Sequence, residues 1–90
     1  MARWKYDERG NLVETRLYGT DEQLKEDKDG LAMVRLKYDE RGNPVEQRYY
    51  GTDERLKENK YGVAIYRREV EFLGKLKKEV HFDKNGEVIK

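Results

Sequence analysis

The chain is predicted to be mainly β, an antiparallel β-hairpin repeat sheet with two short helical segments, and three observations carry that expectation. The phrase Lys-Tyr-Asp-Glu-Arg-Gly-Asn occurs at Lys5–Asn11 and again at Lys37–Asn43, with a relative, His-Phe-Asp-Lys-Asn-Gly-Glu, at His81–Glu87. Each phrase contains Asp-x-x-Gly, the residue choice of a type I turn whose fourth position is left-handed. The flanks alternate apolar and polar side chains, the mark of half-buried strands. Third, of the 31 residue pairs formed by Lys5–Arg35 and their counterparts 32 positions later, only nine differ. Agreement this close implies a recent duplication or a sequence written to a consensus, natural or designed. It divides one domain, residues 1–90, into a first repeat over about 3–34, a second over about 35–66 and a C-terminal cap hairpin over about 67–90. The period fails from Arg68, as expected of an end unit that needs a different outer face.

Each element follows from local chemistry. In the second repeat Val34, Leu36 and Tyr38 alternate with Arg35 and Lys37 before the turn, and Val45, Gln47 and Tyr49 alternate with Glu46, Arg48 and Tyr50 after it. A four-residue loop, Asp39–Gly42, pairs Tyr38 with Asn43, Leu36 with Val45 and Arg35 with Glu46, and gathers Val34, Leu36, Tyr38, Val45 and Tyr49 on one face. The first hairpin, by the same rule, turns Trp4, Tyr6, Val13 and Leu17 inward. Between hairpins, Gly19–Gly30 and Gly51–Gly62 each open with Thr-Asp, continue with acidic residues and end on glycine, which predicts one or two capped turns of helix. Leu24 and Leu56 would pin these segments to the sheet. Near the end, Phe72–Leu76 reads as a tighter turn, with Val80, Phe82 and Ile89 as the last inward residues.

Tyr-Asp-x-x-Gly-Asn, at Tyr6-Asp7-Gly10-Asn11 and Tyr38-Asp39-Gly42-Asn43, resembles the bacterial YD-type (Rhs-like) hairpin repeats. The resemblance covers roughly two thirds of the chain and implies hairpins. In that family many such units spiral into a shell around a toxin. This chain has too few, and its Gly-Thr-Asp segments depart from the pattern, so the encapsulating role does not carry over.

Composition excludes several function classes. Twenty Lys and Arg against 19 Asp and Glu leave a charge of +1, with the signs interspersed, which argues against a nucleic-acid partner. No apolar run is long enough to span a membrane, and Met1-Ala2-Arg3 leads directly into the first motif, so a soluble, cytoplasmic protein is expected. Cysteine and serine are both absent, and the single histidine, His81, falls between inward Val80 and Phe82 and faces outward without a nucleophile. Lys25–Gly30 is superficially like a calcium loop, but Lys takes the first ligand position and Leu36 stands where a bidentate Glu belongs. No catalytic residue, cofactor or metal is expected, and the many carboxylates read as a solvated face. The chain is therefore expected to be a non-catalytic structural scaffold. The alternative is a protein-binding module that uses an outward stripe of Tyr18 and Tyr50 beside Arg16 and Arg48. No partner is required. The expected state is a monomer closed by its own tail, Phe72, Val80, Phe82 and Ile89, and a homodimer is the alternative.

Overall fold

The computed structural model describes residues 1–28, 30–71, 73 and 75–89, and most of them lie in six strands or the turns between them. The strands are β1 (Ala2–Tyr6), β2 (Leu12–Leu17), β3 (Met33–Tyr38), β4 (Pro44–Tyr50), β5 (Ile65–Val70) and β6 (Leu76–Phe82). Each pairs antiparallel with the next in sequence, giving one open sheet of order β1-β2-β3-β4-β5-β6. Pairing only between sequence neighbours limits closure entropy: five residues connect the strands within each hairpin, and longer excursions of 15 and 14 residues connect β2 to β3 and β4 to β5. With extents of 45 × 34 × 17 Å, the sheet has no second layer of strands or helices against it among the described residues.

One hydrogen-bonded turn builds nearly every reversal. At the first, Gly10 N–H donates to Asp7 O (3.0 Å) and Asp7 N–H donates to Asn11 O (2.9 Å), while Asp7 Oδ1 accepts from the N–H groups of Arg9 and Asn11. Its counterpart at Asp39–Asn43 makes the same bonds. Gly10 and Gly42 hold φ of 85° and 84°, which a Cβ would disfavour.

The same turn replaces the two helical segments predicted over Gly19–Gly30 and Gly51–Gly62. Gly19 N–H donates to Gln23 O and Glu22 N–H to Gly19 O, and the pattern repeats at Gly51–Arg55. Glu22 and Glu54 take the left-handed position, at φ 63° and 61°, where a helix would need right-handed residues. The chain then doubles back, bridging Tyr18 to Leu24 and Tyr50 to Leu56. A second turn follows at once: Gly30 N–H donates to Asp27 O and Asp27 N–H to Leu31 O, matched at Asn59–Val63. The terminal glycines that read as helix stops are thus the fourth residues of Asp-x-x-Gly and Asn-x-x-Gly turns. A helix with one aliphatic side chain would bury almost nothing, whereas the double turn adds ladder bonds such as Lys25 N–H to Leu17 O (3.0 Å). Successive excursions clasp one another, Glu26 to Lys57 at 2.8 Å and Glu58 to the Lys84 N–H at 3.1 Å.

The hairpin register also differs from expectation. Asp39 and Asn43 close a three-residue loop, Tyr38 pairs with Pro44, and a bulge at Val45 then brings Lys37 opposite Glu46 and Leu36 opposite Gln47. The shorter loop and the bulge each shift the pairing by one residue in the same direction, so the net slip is two positions and the faces keep the predicted parity. Val13 and Lys77 are the extra residues of the other two hairpins.

Two further expectations need correction. Trp4 and Tyr6, read as inward, are 57% and 62% exposed, because β1 is an edge strand and no second layer among the described residues covers it. The apolar core lies instead where the excursions re-enter the sheet, at Leu31, Ala32, Met33, Val63, Ala64 and Ile65. There Leu17 N–H donates to Ala32 O and Tyr49 N–H to Ala64 O, both at 2.9 Å. The tail does not fold back over the exposed face. It adds β6 at the edge, leaving Val88 56% and Ile89 38% exposed; Phe72 and Gly74, part of the predicted tight turn, lie outside the described residues. Although side-chain identity fades after Arg68, the backbone bonds recur at the same 32-residue spacing: Gly19 to Gln23, Gly51 to Arg55, Asp83 to Glu87. The third Asp-x-x-Gly therefore corresponds to Gly19–Glu22, and not to Asp7–Gly10.

Two substitutions test the turn assignment with opposite signs. Gly42→Val is expected to cost roughly 1 kcal/mol or more through backbone strain, whereas Glu22→Gly, at a non-glycine left-handed position, is expected to stabilise by about 0.5–1 kcal/mol. Urea unfolding midpoints measure both, and a neutral Gly42→Val would exclude the left-handed turn.

Candidate functional site

The most organised polar chemistry is a pair of buried carboxylates, Glu14 on β2 and Glu46 on β4, only 5% and 6% exposed. Strand alternation and register place three cations round each. Arg16 is two residues along the same strand, Lys5 lies opposite on β1 and Arg35 opposite on β3. Around Glu46 the equivalents are Arg48, Lys37 and Arg67. Arg16 Nε donates to Glu14 Oε2 (2.9 Å) and Arg35 Nε to Oε1 (3.0 Å), with Lys5 Nζ at 3.4 Å. At Glu46 the matching distances are 2.9 Å from Arg48, 2.6 Å from Arg67 and 3.6 Å from Lys37. An open groove of about 380 Å³ runs between the two clusters, bordered by Arg35, Lys37 and Tyr50.

Burial alone would push both carboxyls up, and it is the largest single influence on each. The guanidinium hydrogen bonds, from Arg16 and Arg35 at Glu14 and from Arg67 and Arg48 at Glu46, together outweigh it and hold both below the ordinary carboxylate value. Both stay ionised near neutrality, unlike a carboxyl poised to act as a general acid. Their partners respond in the opposite sense: the hydrogen bond that Arg16 donates to Glu14 raises Arg16, and the one that Arg48 donates to Glu46 raises Arg48.

The aromatic side chains join the same network. Arg3 lies over the Tyr18 ring at 4.9 Å, Arg35 over Tyr50 at 5.3 Å and Arg67 over Phe82 at 5.3 Å. Of the residues singled out from sequence, Arg16, Arg48 and Tyr50 do share a face, and it is the face of the glutamates. All four, Tyr18 included, are half-buried, and Arg16 also reaches Glu54 at 3.1 Å. His81 is exposed and its ring packs at a 45° tilt against Tyr66, 5.1 Å between centroids, while Tyr66 Oη donates to Glu79 Oε1 at 2.6 Å. Among the described residues no three His, Asp or Glu side chains converge to hold a metal ion. The buried glutamates are the residues that sequence reasoning missed, having been read as part of a solvated face. Their signal was a Glu at the same place in both copies with an Arg two residues on and a Lys nine residues before.

No family model, curated protein or solved structure matches the chain. What the site can do is therefore read from its own geometry: two carboxylates saturated by cations, in a sheet that keeps them from water.

Removing one charge leaves three cations facing each other. Glu46→Gln is expected to cost about 1–3 kcal/mol, less than the ~3–5 kcal/mol of a fully buried pair because Lys37 and Arg67 are more than half exposed. The pH dependence has a definite sign. Because the folded carboxyls titrate below their ordinary value of 4.5, the unfolded chain takes up protons first as pH falls. The stabilisation is complete above 4.5 and is lost below it. Urea midpoints across this range should drop for the unsubstituted chain, and less steeply for a Glu14→Gln, Glu46→Gln double variant; parallel curves would contradict the assignment.

Proposed function

We propose that the chain is a non-catalytic structural repeat scaffold, of consensus-like or designed construction, with no evolved biochemical activity. One observation carries this reading: the charged centre is closed on itself. Both oxygens of Glu14 and of Glu46 are held by guanidinium groups, and among the described residues no buried side-chain nitrogen or oxygen lacks a hydrogen-bond partner. A catalytic or ligand-binding site generally leaves polar groups aimed at an absent molecule. The likeness to YD-type hairpin units belongs to the same reading, as a source of turns and not of an encapsulating role. No cofactor, metal, nucleic acid or membrane enters it, and among the described residues no helix is long and apolar enough to cross a bilayer.

A second reading has an observation of its own. Tyr18 and Tyr50, capped by Arg3 and Arg35, form half-exposed Tyr–Arg patches beside Arg16 and Arg48, the residue types that anchor protein interfaces. In its favour is the accessible aromatic surface; against it, Arg16 and Arg48 are already committed to Glu14 and Glu46. Passing bacterial lysate over the immobilised unsubstituted chain and a Tyr50→Ala variant separates the two. A scaffold retains the same background on both columns. A protein kept by the unsubstituted chain and lost from the variant would favour the binding module.

A further inference from the structure

The recurring backbone bonds make each edge strand the counterpart of strands that are paired inside the sheet. β1 stands 32 residues before β3, and β6 stands 32 residues after β4, so the free edge of β6 is the one that β4 offers to β5. Local bonding agrees, since Ile89 N–H donates to His81 O as Lys57 N–H does to Tyr49 O and Lys25 N–H to Leu17 O. The free edge of β1 is likewise the one that β3 offers to β2. Two copies set end to end would repeat the internal junction. Where Glu46, Gln47 and Arg48 face Arg67, Tyr66 and Ile65, the new junction would set Lys78, Glu79 and Val80 against Arg3, Ala2 and Met1 of the second copy.

What differs is charge. Glu14 faces Arg35 and Glu46 faces Arg67 across the internal junctions, but the third member of this series, Lys78, is a cation. Its hairpin partner has changed with it: Lys5 opposes Glu14, Lys37 opposes Glu46, and Glu69 opposes Lys78. The reversal preserves complementarity within the last hairpin while turning the outward charge from acid to base. A second copy approaching β6 would bring Arg3 against Lys78, and like charges directly opposite each other destabilise a strand pair. Lysine on an edge strand is also a common guard against edge-to-edge pairing. We propose that the edges of β6 and β1 are geometrically matched for a second copy of this chain, and that the reversed Glu69–Lys78 pair is an end-stop preventing that union. The inference rests on register and charge and stands independently of the scaffold reading.

Charge exchange tests it. Sedimentation equilibrium should find the unsubstituted chain monomeric. A Glu69→Lys, Lys78→Glu variant restores the internal pattern and should show average mass rising with concentration; Arg3→Glu alone supplies an acid to face Lys78 and should do the same. Combining all three sets two acids opposite each other and should return the chain to monomer. A tandem of two copies, joined by six residues copied from Asn59–Ala64, reads the same junction within one molecule if separate chains bind weakly. There the thermal midpoint should exceed that of a single copy only for the complementary charge sets. Circular dichroism checks that every variant keeps its sheet. Folded variants that stay monomeric and leave the tandem midpoint unchanged would overturn the proposal, as would association of the unsubstituted chain through these edges or association that survives the triple substitution.

Discussion

A sheet without a second layer has to hide its centre with its own side chains, and Glu14 and Glu46 are what make that feasible here. Each carboxylate draws two guanidinium groups and an ammonium inward from three strands, so the long arms of Arg16, Arg35, Arg48 and Arg67 lie across the sheet where another protein layer would otherwise be needed. The aromatic rings of Tyr50 and Phe82 are covered by the same guanidiniums. Exclusion of water, cross-strand register and electrostatic balance therefore depend on one repeated constellation. Its weakness is equally specific: protonation or truncation of either carboxylate leaves several cations crowded together.

The second constraint is the turn. Because the same arrangement of two backbone bonds closes loops at both ends of the strands, the chain can run between hairpins without a helix and still return in register. Asp or Asn at the first position collects the exposed N–H groups of the turn, as Asp39 does for Arg41 and Asn43 and Asn59 does for Tyr61 and Val63. Asp7 and Asp39 are held below the ordinary carboxylate range chiefly by backbone hydrogen bonds from Asn11 and Asn43. The small apolar core sits beside these turns, where Leu31–Met33 and Val63–Ile65 pass from excursion to strand.

Strand and turn chemistry were legible in the sequence because they are local. Asp-x-x-Gly, alternation around Tyr38 and Asn43 and the 32-residue recurrence are enough to specify hairpins and the parity of their faces. Asp27-x-x-Gly30 carried the same turn signal and was masked by the acidic residues before it, which equally suit a helix start. Only the tertiary structure decided which carboxylates are buried, since that depends on cations arriving from neighbouring strands through a register that each bulge shifts. It also decided that Trp4 stays exposed at an edge while Ala64 is fully enclosed. Hydropathy ranks side chains by their own transfer energy, but burial in a single sheet is set by how many strands flank a position and what their side chains can reach.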